Sequence, residues 1–256
     1  MRVAAALGGL IVSAAACSLV TDFPKLTGAS SDGGASDGAY CRGLAPTPQF
    51  CDDFDEESAL TPKWDSRSDG GVTIDGVGAH SAPSTMRSAV PAGAPDCTNA
   101  VAEKTLRGAF LAAHASFWLR FDDAAELSKG PAVAALYLGL SSSDPFCQLL
   151  LVLSGSPTFT EQRLSSLPDG GHETVQAAHA LDALAPGEWH HLDIDYDTAN
   201  GRLVVAANGT GVVDAALQLS CGKQAAAATL QLGHYCIEPG SPALEIRFDD
   251  VTFDGR

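Results

Sequence analysis

The sequence is poor in positive charge. Fifteen lysines and arginines stand against 31 aspartates and glutamates, so the formal net charge at pH 7 is −16. Such a chain repels phosphate backbones and anionic headgroups, which excludes nucleic-acid binding through a basic surface. Methionine (two) and tryptophan (three) are scarce, whereas glycine (26) and proline (14) are plentiful. That balance describes a turn-rich chain rather than a helical bundle. The N-terminal apolar run is shorter than the ~20 residues a hydrocarbon core demands. No period of ~20–50 residues recurs, which argues against a propeller or solenoid. A Gly-x-Ser-x-Gly elbow, a His-Glu-x-x-His helix and a phosphate loop are all missing, and with them the commoner hydrolase and nucleotide signatures. No C-x-x-C pair exists either, which disfavours structural zinc. The composition, 45% hydrophobic and 18% charged, is that of a globular domain.

The N terminus carries an address. Arg2 precedes a weakly apolar run, Val3 to Ala16, that ends in small residues. One basic residue, a short apolar stretch and small residues before a break describe a secretory signal over residues 1–16. The break, Ala14-Ala15-Ala16-Cys17, resembles the lipobox of bacterial lipoproteins. The resemblance implies cleavage before Cys17, acylation of its thiol and new amino terminus, and attachment to a membrane by lipid alone. A plain signal peptide cleaved after Ala16 is the alternative. Ser18, rather than Asp, follows the cysteine. By the best-known lipoprotein sorting rule it directs an exported, lipid-anchored protein to the outer membrane of a Gram-negative envelope. Residues 17–46 are expected to form a lipid-anchored flexible tether. Their stretch 26–39 holds one large apolar side chain, Leu26, among Gly, Ser, Ala, Asp and Thr.

Cysteine parity fits that address. Seven is an odd number for an exported chain, and setting Cys17 aside leaves Cys41, Cys51, Cys97, Cys147, Cys221 and Cys236. All six are expected in disulfides, because an exported compartment is oxidising. Many pairings are open. Cys41–Cys51 and Cys221–Cys236 each close a short loop, which leaves Cys97–Cys147.

Residues 47–256 read as one all-β domain. Expected strands are Phe50–Phe54, Val72–Ile74, Ser84–Val90, Ala100–Leu106, Ala115–Phe121, Val133–Leu140, Cys147–Leu153, Glu188–Tyr196, Arg202–Asn208, Thr229–Leu232 and Leu244–Phe253. Clusters such as Asp69-Gly70-Gly71 and Pro239-Gly240-Ser241-Pro242 separate them. Many short strands with regular turn signals indicate a two-sheet antiparallel sandwich. In the clearest unit, Leu192, Ile194 and Tyr196 alternate with Asp193, Asp195 and Asp197, and Asn200-Gly201 turns the chain into Arg202–Asn208. The run Trp189-His190-His191, the hairpin, and the strand ending Asn208-Gly209 resemble laminin G-like and concanavalin A-like jelly-roll domains. Phe50-Cys51-Asp52-Asp53-Phe54-Asp55 is similar to their opening strand, and Asp249-Asp250-Val251 to their closing one. The resemblance implies a jelly roll whose opening and closing strands pair, with carbohydrate or protein ligands and in some members Ca²⁺.

Three sets of side chains are candidates for chemistry. Asp193, Asp195 and Asp197 share one strand face at ~6.5–7 Å intervals, close to glycosidase carboxyl separations. An acidic solvent face of a hairpin strand is the plainer account of that row. His190, His191 and His234 could serve a metal, but adjacent histidines on a strand point to opposite faces. Asp52, Asp53, Asp55, Asp122 and Asp123 supply hard oxygens, so Ca²⁺ is the candidate cofactor. No catalytic set is complete. The expectation is therefore a noncatalytic, lipid-anchored envelope module binding a polysaccharide or envelope partner. A polysaccharide-cleaving enzyme of the same fold, hydrolase or lyase, is the alternative, and a structural or adhesive envelope protein is a third. Ligand identity and oligomeric state are left open.

Overall fold

Alternating apolar and polar side chains draw most of the chain into strands. The computed structural model describes residues 39–55, 60, 63–68, 71–121, 133–141, 146–153, 157–167, 172–181, 184–219, 224–237 and 241–256. A short helix, α1 (Ala39–Gly43), precedes the strands β1 (Phe50–Asp52), β2 (Ser66–Arg67), β3 (Val72–Asp75), β4 (Thr85–Val90), β5 (Thr98–Phe110) and β6 (Ala112–Phe121). There follow β7 (Val133–Ser141), β8 (Phe146–Leu153), β9 (Thr158–Ser166), β10 (His172–Ala180) and β11 (His190–Asp197). The chain ends with β12 (Arg202–Ala207), β13 (Thr210–Ala216), β14 (Ala225–Ile237) and β15 (Leu244–Gly255). The expected signal over residues 1–16, Cys17 and most of the expected tether lie outside the described residues.

Two antiparallel sheets form a sandwich, as expected. One has eight strands in the order β13-β12-β11-β6-β15-β4-β3, with β1 paired to β15. The other has seven, in the order β10-β9-β8-β7-β14-β5-β2. Leu192, Ile194 and Tyr196 point between the sheets and are at most 1% exposed, packing in one cluster with Phe117, Leu149 and Leu230. Asp193, Asp195 and Asp197 take the outer face, so the alternation in β11 sets both sides of that strand. The opening and closing strands pair, Phe50 opposite Phe253 and Asp52 opposite Val251. Central β15 is buried along almost its whole length, outer face included.

Some expectations need correction. Three long strands, β9, β10 and β13, escape a reading by apolar alternation. β10 (HETVQAAHA) and β13 (TGVVDAA) are sheet edges with few large apolar residues, and β9 (TFTEQRLSS) is mostly polar. Part of the stretch 17–46, expected to be a tether, is structured. Residues 39–43 form α1, which Cys41 ties to β1 through the expected disulfide with Cys51. Cys97 and Cys147 are both disulfide-bonded, but not to each other. Cys97 precedes β5 and Cys147 lies in β8, with β14 and β7 between them. Three inter-strand steps of ~4.8 Å exceed the ~4.4–6.8 Å a disulfide spans between Cα atoms. Cys221 lies outside the described residues. Cys236 belongs to β14, where its neighbour Ile237 pairs with Thr98, next to Cys97. Non-reducing peptide maps should therefore join Cys97 to Cys236 and Cys147 to Cys221. A peptide joining Cys97 to Cys147 would contradict the strand order.

Candidate functional site

The acidic row lies on the outer face of the eight-stranded sheet, where register sets His191 beside Trp118, Asp193 beside Ser116 and Asp195 beside His114. Its members are engaged in holding structure. Asp195 Oδ1 accepts from Arg256 Nη1 at 3.1 Å and lies 3.2 Å from His114 Nδ1. Asp197 accepts the backbone N–H and side-chain amide of Asn200 at 2.8 and 2.7 Å, capping the hairpin turn. Burial alone would raise Asp195, but the bond to His114 and its charge outweigh that and hold the carboxyl below its usual range. A general acid needs the opposite shift. Asp193 faces His114 Nε2 at 3.7 Å.

The histidines do not converge. His190 turns inward and its Nε2 lies 2.8 Å from the Ala185 carbonyl. His191 points outward, with Nε2 2.9 Å from Ser116 Oγ, and burial lowers its pKa. His234 is fully buried between the sheets, Nδ1 2.8 Å from Ser88 Oγ, and burial pushes it down to about 4. It is neutral and enclosed.

The proposed calcium ligands fare similarly. Asp52 Oδ1 accepts Phe54 N–H and Lys63 Nζ at 3.1 and 3.0 Å, and Oδ2 accepts the Trp64 indole N–H at 2.7 Å. Its oxygens are committed. Asp55 accepts Ser84 N–H at 3.2 Å, and burial raises it to about 6. Asp53 Oδ2 accepts Cys41 N–H at 3.4 Å, while its Oδ1 is buried without a partner. Among the described residues the oxygens left without a donor fall short of the six to eight ligands calcium takes. Among the described residues no group of three or more His, Cys, Asp or Glu could hold a metal ion. Asp122 and Asp123 lie outside those residues.

The tryptophans are also occupied. Trp64 is 3% exposed, packed against Phe50 and Phe54. His80 stacks on Trp118 at 3.6 Å, and the Trp189 indole donates to the Gly78 carbonyl at 3.2 Å. The loop after β3 covers what would otherwise be an aromatic platform.

The outer face of the seven-stranded sheet is different in kind. One row runs across six strands in continuous register: Gln176, Gln162, Gln148, Gly139, Thr229 and Thr105. A second, parallel row holds Thr160, Leu150, Tyr137, Gln231 and Glu103. Amides and hydroxyls link the strands: Gln148 Nε2 donates to Gln162 Oε1, the Thr105 and Thr229 hydroxyls lie 3.2 Å apart, and Gln231 Nε2 donates to Glu103 Oε2 at 2.6 Å. Tyr137 stacks with Phe146 at 6.0 Å and lies 6.2 Å from Tyr235. Gly139 makes room for that ring, since a Cβ there would stand 2.5 Å from the Tyr137 hydroxyl oxygen. Burial, then the neighbours Tyr235 and Glu103, push the Tyr137 phenol well above its ordinary range, so it stays an O–H donor. Gln231 Oε1 is buried without a donor.

Sequence reasoning assigned no role to these residues. They come from six strands, and only register assembles them. One signal was present. The run Phe146–Leu153 is apolar on both faces except for Gln148, and Leu150, on the outer face, is only 7% exposed. A strand apolar on both faces has a covered outer side.

Comparisons with solved structures support the fold. No family model matches the chain, and no curated protein does. Among solved structures, an endo-β-1,4-glucuronan lyase from the fungus Trichoderma reesei aligns with a TM-score of 0.59 at 12% identity, covering 82% of this chain and 96% of that one. At that identity the likeness is one of fold. The family 7 alginate lyase A1-II′ gives 0.48 at 8% identity (73% and 82% covered). The binding domain of Paraclostridial Mosquitocidal Protein 1 gives 0.47 at 12% (73% and 43% covered). Both are too distant to carry an argument.

The His114–Asp195 pair makes a testable prediction. The bond to Asp195 and the charges of both aspartates outweigh burial and raise His114. Its contribution is complete below the unfolded value of about 6.5 and is lost as pH rises through the higher folded value. The lowered Asp195 contributes fully above about 3.9, and that part is lost as pH falls through its folded value. Thermal unfolding should show His114→Gln most destabilised relative to the parent between about pH 4 and pH 6.5. The gap should narrow above neutrality. A gap independent of pH would refute the ion pair.

Proposed function

We propose that the chain is a noncatalytic module that binds a polysaccharide on the outer face of its seven-stranded sheet. The supporting observation is the pair of rows across β10, β9, β8, β7, β14 and β5, made of amides, hydroxyls and aromatic rings. Six positions at ~4.8 Å per strand extend over ~24 Å, the length of an extended chain rather than of a single sugar. Amides donate and accept together, as ring hydroxyls require, and tyrosine rings give sugars a flat apolar surface with a polar edge. The acidic row of the other sheet is committed to His114, Arg256 and the hairpin turn and is assigned no catalysis.

A polysaccharide-cleaving enzyme of this fold is the second reading. Tyr137 is paired across the strands with Gln231 and its ring lies 6.2 Å from that of Tyr235, and the Trichoderma protein of similar fold is a lyase. One assay separates the two. The purified chain is applied to immobilised polysaccharides, and the eluate is tested for new reducing and unsaturated ends. Retention without new ends is expected. Tyr235→Ala, at a residue 39% exposed, should weaken retention about tenfold with an unchanged melting temperature. New ends that disappear with Tyr235→Ala would replace the module by the enzyme.

The proposed address is a lipid anchor on Cys17 holding the domain at the outer membrane, supported by Ala14-Ala15-Ala16-Cys17 and Ser18. Mass spectrometry of the protein from its native membrane should find acyl chains on an N-terminal Cys17. A mature terminus elsewhere without lipid would end this part of the proposal.

A further inference from the structure

The geometry points to an uncharged glycan, rather than a polyuronate or sulfated chain, as the occupant of this face. This rests on the polysaccharide reading above. Among the described side chains of the two rows the only charge is that of Glu103, and it is negative. Its carboxylate accepts from Gln231 at the β5 end of the second row. An anionic chain lying there would meet a like charge at that point and, at longer range, a protein of net charge −16. Recognition of carboxylates or sulfates is ordinarily carried by arginine forks or lysines. The two rows hold neither. Where the described residues set arginine against carboxylates, as with Arg87 and Arg247 on Glu245, Arg247 on Asp75, Arg202 on Asp214 and Arg256 on Asp195, the pairs are on the other sheet.

The groups present suit hydroxyls. Tyr137 keeps its proton, Gln148 and Gln162 are linked amides, and Gln231 retains an acceptor with no donor. A sugar hydroxyl donates and accepts in the same group and brings no charge to desolvate beside Glu103. Binding of this kind depends little on ionic strength, because no counterions are released and no charges are paired. A polyanion held by cations would show the reverse.

Affinity electrophoresis of the full-length chain through gels containing neutral glucan, neutral galactan, alginate or polygalacturonate, at low and high salt, tests this. Retardation by a neutral polymer is expected, little changed by salt and reduced about tenfold by Tyr235→Ala or Gln148→Ala. Near-ultraviolet circular dichroism confirms that the variants are folded. Retardation by alginate or polygalacturonate alone, weakened by salt, would overturn the uncharged-ligand inference and leave the polysaccharide reading standing. No retardation by any polymer would overturn both.

Discussion

Asp249 is fully buried in β15, where it accepts the N–H groups of His80 and Ser81 on one oxygen and that of Asp250 on the other. Burial and the neighbouring Asp250 raise its pKa to about 9 against those donors, so the site is electrostatically costly. Asp250 completes the clamp by accepting the Ser81 hydroxyl at 3.0 Å. Much of the molecule follows from this arrangement. The loop between β3 and β4 is drawn over the outer face of the eight-stranded sheet, bringing His80 onto Trp118 and Gly78 under the Trp189 indole. Arg247 reinforces it from β15 by binding Asp75 and the Val77 carbonyl. With the loop seated, Trp118 is stacked under His80 and the Trp189 indole is bonded to Gly78, so both described tryptophans of that face are in contact with the loop.

The same economy recurs elsewhere. Asp52 holds Trp64 and Phe54 from β1, and Glu161, 1% exposed, accepts the N–H groups of Gln218 and Leu219 together with His179. Carboxylates that look available for catalysis or calcium in a strongly acidic chain thus serve as acceptors for backbone donors that loops would otherwise bury unpaired. The outer face of the seven-stranded sheet escaped this use. Its strands are joined to one another by side-chain amides and hydroxyls, in two rows whose one described charge is that of Glu103.

The fold was legible wherever one face of a strand is apolar and the other polar. β11 and β12 are the plainest cases: Leu192, Ile194 and Leu203 against Asp193, Asp195 and Arg202 fix both the hairpin and its faces. Edge strands β10 and β13 were hidden because a sheet edge needs little apolar surface, and alanine-rich polar segments carry no period-two signal. The site was hidden for another reason. Gln148, Gln162 and Gln231 are ordinary outward-facing polar residues one at a time, and only register across six strands makes them a surface. Register is a property of pairing, which alternation within one strand does not contain.

The central claim is that the working face belongs to the seven-stranded sheet. Hydroxyl-radical footprinting with and without a retained glycan tests it most directly, because both outer faces carry aromatic reporters. Protection of Tyr137, Phe146 and Tyr235, with Trp118 and Trp189 unchanged, is the predicted pattern. Protection of Trp118 and Trp189, with Tyr235 still reactive, would move the site to the eight-stranded sheet and contradict the account.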